Sequence, residues 1–185
     1  MSATLNVTLL THTPDPERAV AAAGRLCYSP STAAQLTESM SDEEIGRLIK
    51  LLVNSGHLST FEHASFTFGV DGISRACSHQ LVRHRLASYS QQSQRYVHFS
   101  DEAGFIVPPK IAEDPEALGV FRDAMLSAID ASERLVELGQ ARDLAKETIQ
   151  ADARFVLPNA AEPRLRVRMT ARGPRRFCPF RVCRR

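Results

Sequence analysis

Between Arg83 and Tyr96 the chain runs Arg-His-Arg-Leu-Ala-Ser-Tyr-Ser-Gln-Gln-Ser-Gln-Arg-Tyr. Almost none of these residue types is what a hydrophobic core asks for. Arginine supplies a forked, permanently charged donor suited to phosphate oxygens, while serine and glutamine supply directional donors and acceptors. Together they are what a site needs to hold an anionic phosphate and the polar edge of a heterocycle. The alternative is an exposed, charged loop of no special purpose.

The elements that must position these residues are legible around them. Leu5 to Leu10 has the character of an opening strand, and Asp15-Pro16-Glu17 starts a helix that reaches about Cys27. Ser29 to Met40 reads as a polar connection. Ser41-Asp42-Glu43-Glu44 is a capping box, followed by the helical stripe Ile45, Leu48, Ile49, Leu52 and Val53, with Gly56 suited to a left-handed cap. Ala64, Phe66, Phe68 and Val70 alternate with polar or small residues, giving a strand closed by an Asp71-Gly72 turn. A helix is predicted from Ile73 to about His84, which would place Gln80, Arg83 and His84 on one face. Asp114-Pro115 opens a long helix that Gly139 should separate from a second one, Ala141 to about Arg154, closed by Pro158. Leu165, Val167 and Met169 alternate with Arg164, Arg166 and Arg168, predicting a strand whose basic side is a solvated or inter-subunit face in preference to a ligand contact. The expected architecture is an α+β (complex α/β) single domain.

The bulk numbers agree with that class. A chain of 185 residues with 43% hydrophobic and 24% charged content suits one domain with a real core. A net charge of +2 does not by itself imply nucleic acid, although arginines crowd the stretch from Arg164 onward. Cys27, Cys77, Cys178 and Cys183 form no CxxC pair and no zinc-finger spacing with histidine, so no metal is expected. With no charged-then-apolar leader and no apolar run able to span a bilayer, a soluble cytoplasmic protein is expected, with no membrane partner.

An Arg-His-Arg followed after seven residues by Ser, one further residue and Arg resembles the signature of the flavin-dependent thymidylate synthases. Arg25-Leu26-Cys27-Tyr28, Gly56-His57-Leu58-Ser59-Thr60-Phe61-Glu62-His63, Gly72-Ile73-Ser74-Arg75 and Arg154-Phe155-Val156-Leu157-Pro158-Asn159-Ala160 resemble further blocks of that family. The resemblance implies one domain over 1–185 with a central, mostly antiparallel sheet flanked by helices. It also implies reductive methylation of 2′-deoxyuridine 5′-monophosphate (dUMP) to thymidylate (dTMP). Methylenetetrahydrofolate would supply the carbon, FAD would carry the hydride, and NADPH would reduce the flavin.

By the same resemblance, Gln80, Arg83, Gln91, Ser93, Gln94, Arg95 and Arg154 match positions that hold dUMP. Ser59, Arg83, His84, Arg85 and Gln91 match flavin contacts, as do Thr170, Arg172 and Arg176. Arg181 matches the arginine beside the pyrimidine, where a guanidinium favours the ionised ring and stabilises developing negative charge. The family needs no cysteine nucleophile, and it assembles as homotetramers whose sites are shared between subunits. The C-terminal part, about 173–185, departs from the pattern and reads as truncated: Thr170 stands where Asn is usual, Arg176 where His or Asn is usual, and Gly173, Pro174 and Pro179 enter a would-be helix. Two other readings therefore accompany the synthase: a catalytically impaired relative that still binds flavin and nucleotide, and, remotely, a nucleic-acid-binding module using the arginine-rich strand with Tyr89 and Tyr96.

Overall fold

The computed structural model describes residues 4–97 and 104–173. Local chemistry sets where the helices begin. In α1 (Pro16–Leu26) the Asp15 carboxylate accepts from the Arg18 backbone N–H, with proline in the first turn, where its missing donor costs nothing. In α3 (Asp42–Asn54) Ser41 and Glu44 form the reciprocal capping box, and Gly56 follows with φ +73°. The stretch read as a polar connection contains a further helix, α2 (Ala33–Ser39), with its own capping box between Thr32 and Gln35. Only Leu36 of α2 is buried, so there is no apolar stripe to announce it.

Four strands, β1 (Asn6–His12), β2 (Ser65–Asp71), β3 (Ala87–Gln91) and β4 (Leu165–Thr170), form one sheet in the order β1-β2-β4-β3. Pairing is antiparallel, as the bonds Thr13 N–H to Ser65 O, Ala171 N–H to Ala64 O and Gln92 N–H to Arg164 O show. On β4 the alternation holds as expected: Leu165 and Val167 are buried while Arg164, Arg166 and Arg168 are exposed.

Two corrections concern the helices that bracket the signature. The helix expected from Ile73 to His84 is α4 (Arg75–Leu81), capped by Ser74 and ended at Val82. No apolar side chain follows Val82 until Leu86, so continuing the helix would bury nothing, and Arg83 and His84 leave it for a turn. After a short α5 (Pro109–Ala112), α6 runs unbroken from Pro115 to Ala141, through Gly139. Gly139 is a packing glycine: a Cβ there would lie 2.7 Å from the Ile149 side chain of α7 (Lys146–Ala153). The reversal comes later, where Asp143 adopts φ 56°.

By their contacts the residues fall into two units. The first takes in Met1–Val7, Val70–Arg83 and Ser90–Leu165, and the second Thr8–Gly69, His84–Tyr89 and Arg166–Arg185. In the first, Ile129 and Ala161 pack with Phe105 and Leu157. In the second, Val20, Leu52 and Ala64 pack with Leu48, Ile49, Phe61, Phe66 and Ala171. No helix among the described residues is long and apolar enough to cross a membrane.

Candidate functional site

In the first unit, one end of α4 and the turn after α7 meet the segment that follows β3. The cavity between them is about 210 Å³ and is lined by Arg75, His79, Gln94, Arg154, Phe155, Leu157, Pro158 and Asn159. Each side chain is there for a local reason. Arg75 and His79 stand one helical turn apart on α4, and the Arg75 Nε–H donates to His79 Nε2 over 3.0 Å. Backbone bonds from Arg75 and Ala76 N–H to the carbonyls of Ala161 and Asn159 fix the start of α4 against the segment after Pro158. Arg154 caps the end of α7 and donates its Nε–H to the Ala151 carbonyl, leaving its other nitrogens for the cavity. Its guanidinium carbon lies 5.7 Å from the centre of the Phe155 ring.

Behind this pocket Ser78 is fully buried, donates to the Arg75 carbonyl at 3.0 Å and accepts from Gln91 Nε2 at 2.8 Å. That bond orients the Gln91 amide and leaves its oxygen for a further partner. The Ser93 hydroxyl accepts from the Arg95 backbone N–H, so a turn presents Arg95, whose guanidinium lies 5.4 Å from the centre of the exposed Tyr96 ring. Tyr89 is a packing residue, with its hydroxyl donating to the His84 carbonyl and its pKa raised by burial.

The second unit carries a larger cavity, about 350 Å³, lined by Glu62, Arg85, Leu86, Ala87, Ser88, Arg168, Met169, Thr170, Arg172 and Gly173. Arg172 makes an ion pair with Glu62, which belongs to the 3-10 turn Leu58–His63 that also bears the exposed Ser59. Three guanidiniums and two hydroxyls suit a ligand with two or more anionic oxygens, while the one carboxylate, Glu62, pairs with Arg172. This donor set fits the diphosphate of a dinucleotide cofactor.

The structure therefore brings together Gln94 with Arg154 in one unit, and Arg85 with Thr170 and Arg172 in the other. Gln80, Arg83 and Arg95 are exposed, and none of them lines either cavity. Arg176 and Arg181 lie outside the described residues. Four ionisable lining residues were not among the expected site residues. Arg168 was assigned to a solvated or inter-subunit face, yet it borders the larger cavity. Its signal was present, because β4 carries both Arg168 and the expected Thr170 two residues on. Glu62, Arg75 and His79 were legible only as members of blocks, or not at all, because their roles depend on which side chains the fold sets opposite them.

This α+β chain with an antiparallel sheet carries two arginine-lined cavities whose donors suit phosphorylated ligands. A family model for the thymidylate synthase complementing proteins matches residues 8–185. The flavin-dependent thymidylate synthase of Geobacter sulfurreducens is 48% identical over 183 residues, covering 98% of this chain and 75% of the relative. That of Clostridium tetani is 40% identical, covering 98% and 76%. The crystal structure of a UMP/dUMP methylase, PolB from Streptomyces cacaoi, bound with 5-Br dUMP, superposes with a TM-score of 0.78 at 25% identity, over 95% of this chain and 77% of that one. The chain belongs to the flavin-dependent thymidylate synthase family.

Proposed function

We propose that this chain is an enzyme of thymidylate synthesis that methylates dUMP reductively to dTMP, with methylenetetrahydrofolate as carbon donor, FAD as cofactor and NADPH as reductant. The observation that carries the reading is that the signature and the Arg154 block, far apart in sequence, supply Gln94 and Arg154 to one arginine-lined pocket. In this reading the nucleotide phosphate is held by guanidinium groups, and Gln80, Arg83, Gln91, Ser93 and Arg95 complete the nucleotide contacts. Ser59, His84, Arg85, Thr170, Arg172 and Arg176 hold the flavin, with Arg83 and Gln91 serving both ligands. Bound flavin supplies the redox chemistry, and the protein's own work is binding, orientation and electrostatics. Arg181 stabilises the ionised pyrimidine. The enzyme works as a cytoplasmic homotetramer of one-domain chains with sites shared between subunits.

Purified protein should carry flavin and form dTMP from dUMP, methylenetetrahydrofolate and NADPH. Protein that neither retains flavin nor binds dUMP would refute the reading. The substitutions between Thr170 and Pro179 favour a second reading, an impaired relative. Flavin and dUMP bound with no dTMP formed would select it.

A further inference from the structure

We propose that Arg75 is a second phosphate-binding guanidinium of the nucleotide pocket and that His79 is the positioning residue that holds it there. The inference rests on the reading of this pocket as the dUMP site and adds two residues to it.

Three observations meet at Arg75. Its Nη1 is buried and has no hydrogen-bond partner among the described residues. A buried guanidinium nitrogen left without an acceptor is costly, so its presence points to an acceptor that arrives with a ligand. Burial and, after it, the charge of Arg154 disfavour the protonated form of Arg75. Two cations are thus held toward one cavity, and no carboxylate stands among its lining residues. An anion between them relieves both penalties at once, and a phosphate monoester, with two charges and three terminal oxygens, has the chemistry to do so.

His79 gives the arrangement its direction. Its Nε2 accepts from Arg75 Nε–H, so the proton of the neutral ring sits on Nδ1. Occupying Nε leaves the terminal nitrogens of the fork for the ligand. The bond also selects one rotamer of a long side chain, so less freedom is lost when the phosphate binds.

The test compares dUMP with deoxyuridine, which lacks the phosphate, by equilibrium titration of the flavin-loaded full chain. Retained flavin is the check on folding. Arg75→Ala should weaken dUMP at least about tenfold and leave deoxyuridine within about twofold. His79→Ala should weaken dUMP by a smaller factor, and His79→Gln, whose amide oxygen also accepts from Nε–H, should restore it. Arg154→Ala separates the two levels of argument. If Arg154→Ala loses dUMP while Arg75→Ala keeps it, the inference about Arg75 is overturned and the pocket assignment stands. If both variants keep dUMP, the pocket is not the phosphate site and both fall. Equal loss of dUMP and deoxyuridine in Arg75→Ala would make its role structural and overturn the proposal.

Discussion

Gly72 and Gly56 share a φ of +73° in different surroundings, and that pair isolates one steric term. A Cβ on Gly56 would meet nothing within 4 Å, whereas one on Gly72 would lie 2.1 Å from the Thr4 carbonyl oxygen and 2.5 Å from its carbon. Alanine at either site bears the left-handed penalty, about 1–2 kcal/mol. At either site alanine also restricts the unfolded chain, which returns about 0.4–1 kcal/mol. Those two terms cancel on subtraction. What remains at Gly72 is a collision with backbone that cannot swing away as a side-chain tip would. Forcing such a methyl in costs about 1–3 kcal/mol. Gly72→Ala should therefore be less stable than Gly56→Ala by about 1–3 kcal/mol, which for a chain of this size lowers Tm by a further 2–12 °C or so. Urea unfolding followed by circular dichroism measures the difference, provided the two variants share one m-value. Equal midpoints would refute the claim that the approach of Thr4 is why residue 72 has no side chain. The position matters for the site, because Gly72 donates its N–H to Glu162 at 2.6 Å just ahead of the helix that carries Arg75 and His79.

Three further outcomes are expected. Ser41→Ala breaks a capping box on a helix with an extensive packed face and should cost about 1 kcal/mol, more than Thr32→Ala on the weakly anchored α2; paired urea midpoints decide it, and a larger loss at Thr32 would contradict the ranking. The Asp15 carboxyl is held below its ordinary value of 3.8, first by the side-chain hydrogen bond from Arg18. Its stabilising contribution is therefore present above that value and lost as pH falls below it, so Asp15→Asn should flatten the acid limb of the stability curve in the region below that value; a gap from wild type that stays constant from neutral pH through that region would show that Asp15 is not coupled. Arg172→Ala should raise the flavin dissociation constant by about tenfold in a fluorescence titration, while leaving the fold as stable as before; unchanged affinity would remove Arg172 from the cofactor site.

What the sequence disclosed depended on how local each signal is. The boundaries of α1 and α3 follow from Asp15-Pro16 and from the Ser41–Glu44 box, interactions within one turn. The exposed arginine row of β4 follows from strict alternation. Gly139 misled because glycine weakens a helix by default, about 1 kcal/mol against alanine, and only the packing of Ile149 shows why it is tolerated inside α6. Within the site, Gln94 and Arg154 were found through the pattern they share with a family, and the fold then put them in one pocket. Arg75 was hidden because nothing in its neighbours along the chain signals a buried, partnerless nitrogen. That property exists only once His79, Arg154 and the segment after Pro158 are in place.

The two cavities solve the same electrostatic problem with different numbers of charges. The smaller one sets Arg75 and Arg154 beside a histidine whose Nε2 is already an acceptor, so its lining carries two positive charges. The larger one has Arg85, Arg168 and Arg172, but Glu62 offsets one of them, again leaving two. A phosphate monoester near neutral pH is close to a dianion, and a diphosphate diester carries two charges as well. A carboxylate in a pocket proposed to hold the cofactor looks self-defeating until this balance is drawn. Without Glu62 the lining would carry three guanidiniums and no carboxylate, and Arg172 would lose its ion-pair partner. With Glu62 the excess matches a diphosphate diester, and the ion pair holds Arg172 in place before any ligand binds.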